Sequence, residues 1–114
     1  NIPSLLQRWM EEVWLHGFSH GTNGHALKGK NLLLSLTTGA PAEVYTPQGA
    51  DAPDFSAMMQ NLCTAARFTG LEFAGIESTC GVSYALHTDP AQLAAIEAKA
   101  DAHAQRLIAR LQSL

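Results

Sequence analysis

The sequence predicts an α/β domain on a parallel sheet, the later part of a doubly wound arrangement. Three observations carry that reading. The hydrophobic periodicity alternates helix, strand, helix, strand, helix along 114 residues, an order that implies parallel strands joined by crossover helices. The run Leu32 to Leu36, L-L-L-S-L, suits a short strand buried on both faces, and it breaks at once into Thr37, Thr38, Gly39, Ala40 and Pro41. Thr88-Asp89-Pro90 with Gln92 is the clearest helix start in the chain, combining a capping carboxylate with a proline whose missing N–H costs nothing there.

The elements follow in order. Asn1 is placed to cap the first helix, with Pro3 near its first turn. Leu5, Leu6, Trp9, Met10, Val13 and Trp14 make a wide apolar stripe, opposite Gln7, Arg8, Glu11 and Glu12. The helix should stop at Gly17, and G-F-S-H-G-T-N-G-H is loop. After the Thr-Thr-Gly turn, Pro41 to Pro53 holds three prolines and little periodicity, a long connection of the kind that is usually functional or mobile. Asp54 is expected to cap the second helix, with Phe55, Met58, Met59, Leu62, Cys63 and Ala66 on one face and an end at Gly70. Leu71 to Ser78 reads as the second strand, Thr79 to His87 as loop. Leu93, Ile96, Ala100, Leu107 and Leu111 mark a long last helix.

Two parallel strands alone make a poor sheet for three helices. The expectation is therefore one domain over residues 1–114, lacking the strands that would come before it. A net charge of −3 excludes a broad basic surface for nucleic acid. No apolar run approaches the roughly 20 residues that span a bilayer, and the start of this sequence lacks the pattern of a secretory signal. Cys63 and Cys80 fit no metal or redox spacing, which suits a reducing cytoplasm. His16 and His20 stand four apart, but Gly17 intervenes and no third ligand is implied, so no metal is expected. No G-x-S-x-G elbow supports a hydrolase.

The candidate site is the strand exit. Strand ends followed by hydroxyls and glycine are where open α/β sheets receive ligands, and the loop N–H groups can meet a phosphate or an electron-rich ring edge. An ordinary strand exit would read the same way. Tyr45, beyond the turn in a stretch otherwise poor in aromatics, is open between site and surface.

Taken together, I-P-S-L-L-Q-R-W-M-E-E-V, G-F-S-H-G, L-K-G-K-N-L-L-L-S-L-T-T-G, V-Y-T-P-Q-G and A-R-F-T-G-L-E-F resemble the flavodoxin-like NAD(P)H:quinone oxidoreductases. That family includes ancillary proteins of glutathione-gated potassium efflux systems. The resemblance runs through essentially the whole chain and looks like the family's C-terminal part. It implies FMN or FAD as cofactor, NAD(P)H as hydride donor, a quinone as acceptor and a homodimer with active sites at the interface. It places Thr37, Thr38, Gly39 and Ala40 along the flavin and Tyr45 against flavin or nicotinamide, as a catalytic hydrogen-bond donor. Phe18 and His20 match positions that reach toward the partner subunit's substrate pocket.

This sequence departs from the family pattern at Ala40, often glycine, at His20, frequently tyrosine, and at Asp51, which aligns with an assisting histidine in some members. The family's first strand and phosphate-binding loop have no counterpart here, so the 114 residues alone are expected to be inactive. The alternative the resemblance carries is a regulatory ancillary subunit of a membrane potassium efflux transporter, with secondary redox activity. It implies a cytoplasmic protein, peripheral at the inner membrane where a transporter is its partner.

Overall fold

The structure is a computed structural model and describes residues 2–114. The element order is α1 (Ser4–Val13), β1 (Asn31–Thr37), a 3-10 turn (Ala42–Tyr45), α2 (Gln60–Thr69), β2 (Glu72–Thr79), a second 3-10 turn (Tyr84–Thr88) and α3 (Pro90–Gln112). This is the helix, strand, helix, strand, helix order that the sequence predicts. The strands β1 and β2 are hydrogen-bonded neighbours in a two-stranded sheet. Glu72 N–H donates to Lys30 O at 2.8 Å and Thr38 N–H to Thr79 O at 3.0 Å. Pairing thus advances along both strands together, which makes them parallel.

The chain divides into two compact units. The first holds residues up to Leu32 with Ser56–Ala74, the second Leu33–Phe55 with Gly75–Leu114. In the first unit, α1 and α2 share a recess of about 200 Å³ lined by Met10, Trp14, His20 and Phe68 among others. The apolar stripe of α1 is split. Met10 and Trp14 are half-buried, whereas Leu5 is 79% and Trp9 50% exposed. On the polar side Gln7 bonds Glu11 and Arg8 pairs with Glu12, both four residues on.

Several boundaries differ from the expectation. The capping role given to Asn1 lies outside the described residues, and Pro3 itself precedes the first turn with no side-chain cap. α1 stops at Val13 rather than at Gly17, because Leu15 N–H turns back onto Val13 O and the Leu15 carbonyl takes the N–H groups of Phe18 and Ser19. Asp54 does not cap α2, which starts after Met59. Instead Asp54 N–H donates to Tyr45 O and the Phe55 ring, 4% exposed, lies on Tyr45. Those contacts hold the segment to the first 3-10 turn and delay the helix. Two stretches read as loop contain 3-10 turns.

The end of α2 is as expected. Gly70 takes φ 78°, Leu71 N–H reaches back to Ala66 O, and Thr69 Oγ1 donates to Ala65 O and Ala66 O, closing the last carbonyls in a left-handed cap. α3 also starts as expected, with Asp89 Oδ1 accepting from Ala91 N–H at 2.9 Å.

β1 was expected to be buried on both faces, and it is not. None of its residues is fully buried, since a single neighbouring strand covers only one edge. In the second unit, α3 turns its apolar stripe inward, with Leu93, Ile96 and Leu107 half-buried, and polar side chains alongside that stripe bond β2 and its exit. Lys99 Nζ donates to Cys80 O and Gly81 O, Arg106 reaches Glu77, Ser78 O and Thr79 Oγ1, and Arg110 donates to Ile76 O. Spacings of four, three and four put Lys99, His103, Arg106 and Arg110 on one helical face. His103, buried, lies between Thr79 Oγ1 at 2.8 Å and Ser35 Oγ at 2.9 Å. No helix among the described residues is long and apolar enough to cross a membrane.

Candidate functional site at the ends of the strands

The exits of β1 and β2 are laced together. Beyond Thr38 N–H on Thr79 O, the Thr38 carbonyl accepts from Val82 N–H at 3.0 Å and the Ala40 carbonyl from Gly81 N–H at 2.9 Å. Thr38 Oγ1 donates to Ala40 O across the turn. These bonds fix the backbone of Thr37–Ala40 while leaving two consecutive amides over. Among the described residues the N–H groups of Gly39 and Ala40 donate to nothing. The Thr38 N–H, read from sequence as a ligand donor, is held by β2. Adjacent outward amide donors at a strand exit suit an electron-rich or anionic edge.

Gly39 is not in the left-handed region. A Cβ built on it meets only Ser83, at 3.7 Å from Cα, an ordinary contact. Nothing on the protein side therefore requires glycine here. The segment Thr79–Ser83, which supplies these partners, was read from sequence as plain loop. Gly81, two residues beyond the end of β2, is the one local signal for it, and the sequence reading passes over it.

Tyr45 ends the first 3-10 turn, its ring centroid 4.9 Å from that of Phe55 at 39°. Packing on a buried ring orients it, and its hydroxyl has no partner among the described residues.

Phe18 and His20 belong to the first unit. Phe18 is 48% exposed, its carbonyl held by Ala26 N–H. His20 Nδ1 lies 2.9 Å from Oγ of the fully buried Ser19, whose hydroxyl is also 3.3 Å from Leu15 O. With the Ser19 proton on that carbonyl, Nδ1–H donates to Oγ and Nε2 is left as an acceptor. The His20 ring lies 5.2 Å from Phe68 and 5.6 Å from His16. His16 and His20 form a parallel β-bridge, so their four-residue spacing is not that of a helix face.

Relatives bear on this geometry. The family described by its flavodoxin-like fold matches residues 1–107. A glutathione-regulated potassium-efflux system ancillary protein, KefF, of Enterobacter sp. (strain 638) is 40% identical over 73 residues, which are 64% of this chain and 40% of that protein. The structure of general stress protein 14 from Treponema denticola in complex with FMN superposes with a TM-score of 0.74 at 25% identity, over 96% of this chain and 59% of that one. An NADPH-quinone reductase from P. pentosaceus gives 0.68 at 25% identity, over 93% and 59%. The chain spans about half the length of the relatives it matches. On the strength of the family match, the sheet order and these relatives, the chain belongs to the flavodoxin-like family of the NAD(P)H:quinone oxidoreductases.

Proposed function

We propose that the full protein is a flavin-dependent oxidoreductase that passes hydride from NAD(P)H to a quinone. The observation that carries this is the pair of amide donors at Gly39 and Ala40, left over on a backbone fixed by the exit of β2. The Treponema relative's complex with FMN supports the cofactor, and the P. pentosaceus reductase supports donor and acceptor. A flavin, FMN or FAD, supplies hydride acceptance and donation when bound. The residues at the strand exits fit its ring and not its phosphate.

Gly39 and Ala40 would hold the ring edge and favour negative charge there, an oxyanion-hole type of effect. Thr37, whose hydroxyl makes no bond among the described residues, would flank it. Tyr45 would present its hydroxyl to the reacting molecules from a ring braced on Phe55. Phe18 and His20 would serve the partner subunit's pocket in a homodimer. The exposed Leu5, Leu6 and Trp9, beside a recess of about 890 Å³, are the apolar surface such a dimer would cover.

The test is to purify the full chain, read its visible spectrum, and follow NAD(P)H oxidation with and without a quinone. A yellow protein whose oxidation rate depends on quinone supports the reading; a colourless, inert one overturns it. Sedimentation giving only monomer at micromolar concentration would remove the dimer. The KefF relative, an ancillary protein of a potassium-efflux system, favours a second reading, an ancillary subunit of such a system. Co-purification with such a transporter, without quinone-dependent activity, would select it.

A further inference from the structure

The glycine-rich segment after α1 builds a second recess, wholly within the first unit. It measures about 250 Å³ and is lined by Lys28 and Arg67, by His20, His25 and Gly21, and by Phe68, with no Asp or Glu among its lining residues. The chain has seven Lys and Arg and ten Asp and Glu, so basic side chains should find partners easily. Arg8, Lys99, Arg106 and Arg110 do. Among the described residues the side chains of Lys28, Lys30 and Arg67 make no hydrogen bond or ion pair, and two of the three, Lys28 and Arg67, line this recess.

The frame that holds them is tight. A Cβ on Gly24 would collide with His20 O, and one on Gly70 would lie 3.3 Å from the Lys28 side chain. Gly29 N–H bonds Gly70 O at 2.9 Å, and His25 Nε2–H donates to Thr22 O. Gly21, at φ 90°, keeps an N–H that donates to nothing among the described residues. Carbonyls at the C-terminus of α2 would oppose an anion; those of Ala65, Ala66, Arg67 and Gly70 are taken by Thr69 Oγ1 or backbone N–H groups, which leaves those of Phe68 and Thr69 for the two cations to outweigh. Phe68, 71% exposed and set against the His20 ring, offers a flat face at the rim.

We infer that this recess binds the phosphate monoester of a soluble small molecule that carries a flat ring. Arg67 matches phosphate oxygens with its planar fork and Lys28 adds a point charge, while the ring stacks on Phe68. The site asks nothing of Thr37–Ala40, shares only His20 with the pocket proposed above, and goes beyond the proposed redox chemistry in its ligand.

The experiment is calorimetric titration of the full chain at low ionic strength with adenosine monophosphate, and with adenosine as the form lacking phosphate. Arg67→Gln and Lys28→Gln are the variants. Both side chains are exposed, and unchanged thermal unfolding and flavin content show that each variant is folded. The expected result is binding of the monophosphate that falls ~10-fold or more in each variant, and equally on removing the phosphate, as for loss of a charge-assisted hydrogen bond. The inference is overturned if adenosine binds as well as the monophosphate, if neither variant weakens it, or if millimolar monophosphate gives no heat. Either result stands whether or not the protein reduces quinones.

Discussion

At Gly39 the backbone conformation is ordinary and the protein side has room for a side chain. Gly39→Val should therefore leave folding nearly unchanged while setting a branched side chain where the ring is proposed to lie. The expected outcome is loss of bound flavin from the full chain, read by its absorbance, with an unfolding midpoint close to that of the parent. A fully yellow, fully active variant would show that this turn does not hold the cofactor. Thr79 tests a different link. Its hydroxyl joins His103 Nδ1 and Arg106 Nη2 in a largely buried position. Thr79→Val keeps the shape and strands His103 Nδ1 in a buried position, while Arg106 keeps Glu77 and Ser78 O; the loss should cost about 1–3 kcal/mol in a denaturant titration. Thr79→Ser should recover most of it, and an unaffected Val variant would mean that water satisfies the network equally well.

Among the elements, those with strong local chemistry were legible. Asp89 with Pro90 set the start of α3, and Gly70 set the end of α2, because a capping carboxylate and a left-handed glycine act within a few residues. Asp89→Ala should destabilise the full chain by ~1 kcal/mol, with the lost helicity seen by circular dichroism. No change would show that the Ala91 N–H is served elsewhere. The start of α2 was not legible, because it depends on Phe55 packing against Tyr45, a contact that hydrophobic periodicity cannot see. The inward face of α3 was legible, since Leu93, Ile96 and Leu107 of the expected stripe are half-buried. The bonds that Lys99, His103, Arg106 and Arg110 make beside it to β2 and its exit were not. Long basic side chains cover apolar surface with their stems while their heads reach carbonyls, and residue type alone does not name those partners. At the candidate site the positions of Thr37–Tyr45 were legible, but which amides stay available was not. That depends on Thr79, Gly81 and Val82, some forty residues further on.

For the chain as a whole, the small core and the missing phosphate contacts lead to one expectation. Only Phe55, Leu62 and Ala66 are fully buried apolar residues among those described, and a two-stranded sheet is marginal by itself. The family's flavin phosphate would need a loop of N–H groups leading from a strand into a helix N-terminus. Among the described residues α3 opens on the Asp89 carboxylate, which repels a phosphate and already takes the Ala91 N–H. α2 opens on Met59, four residues into a run of turns rather than straight from a strand. Losing two or three charge-assisted hydrogen bonds, each worth about 1.5–3 kcal/mol, weakens an affinity by several orders of magnitude. The 114 residues on their own are therefore expected to bind FMN weakly and to show no quinone reduction. Fluorescence titration of this chain with FMN checks it. A dissociation constant in the nanomolar range would mean that the phosphate is held within these residues, and the cofactor site would have to be moved from the β1 exit to wherever that phosphate sits.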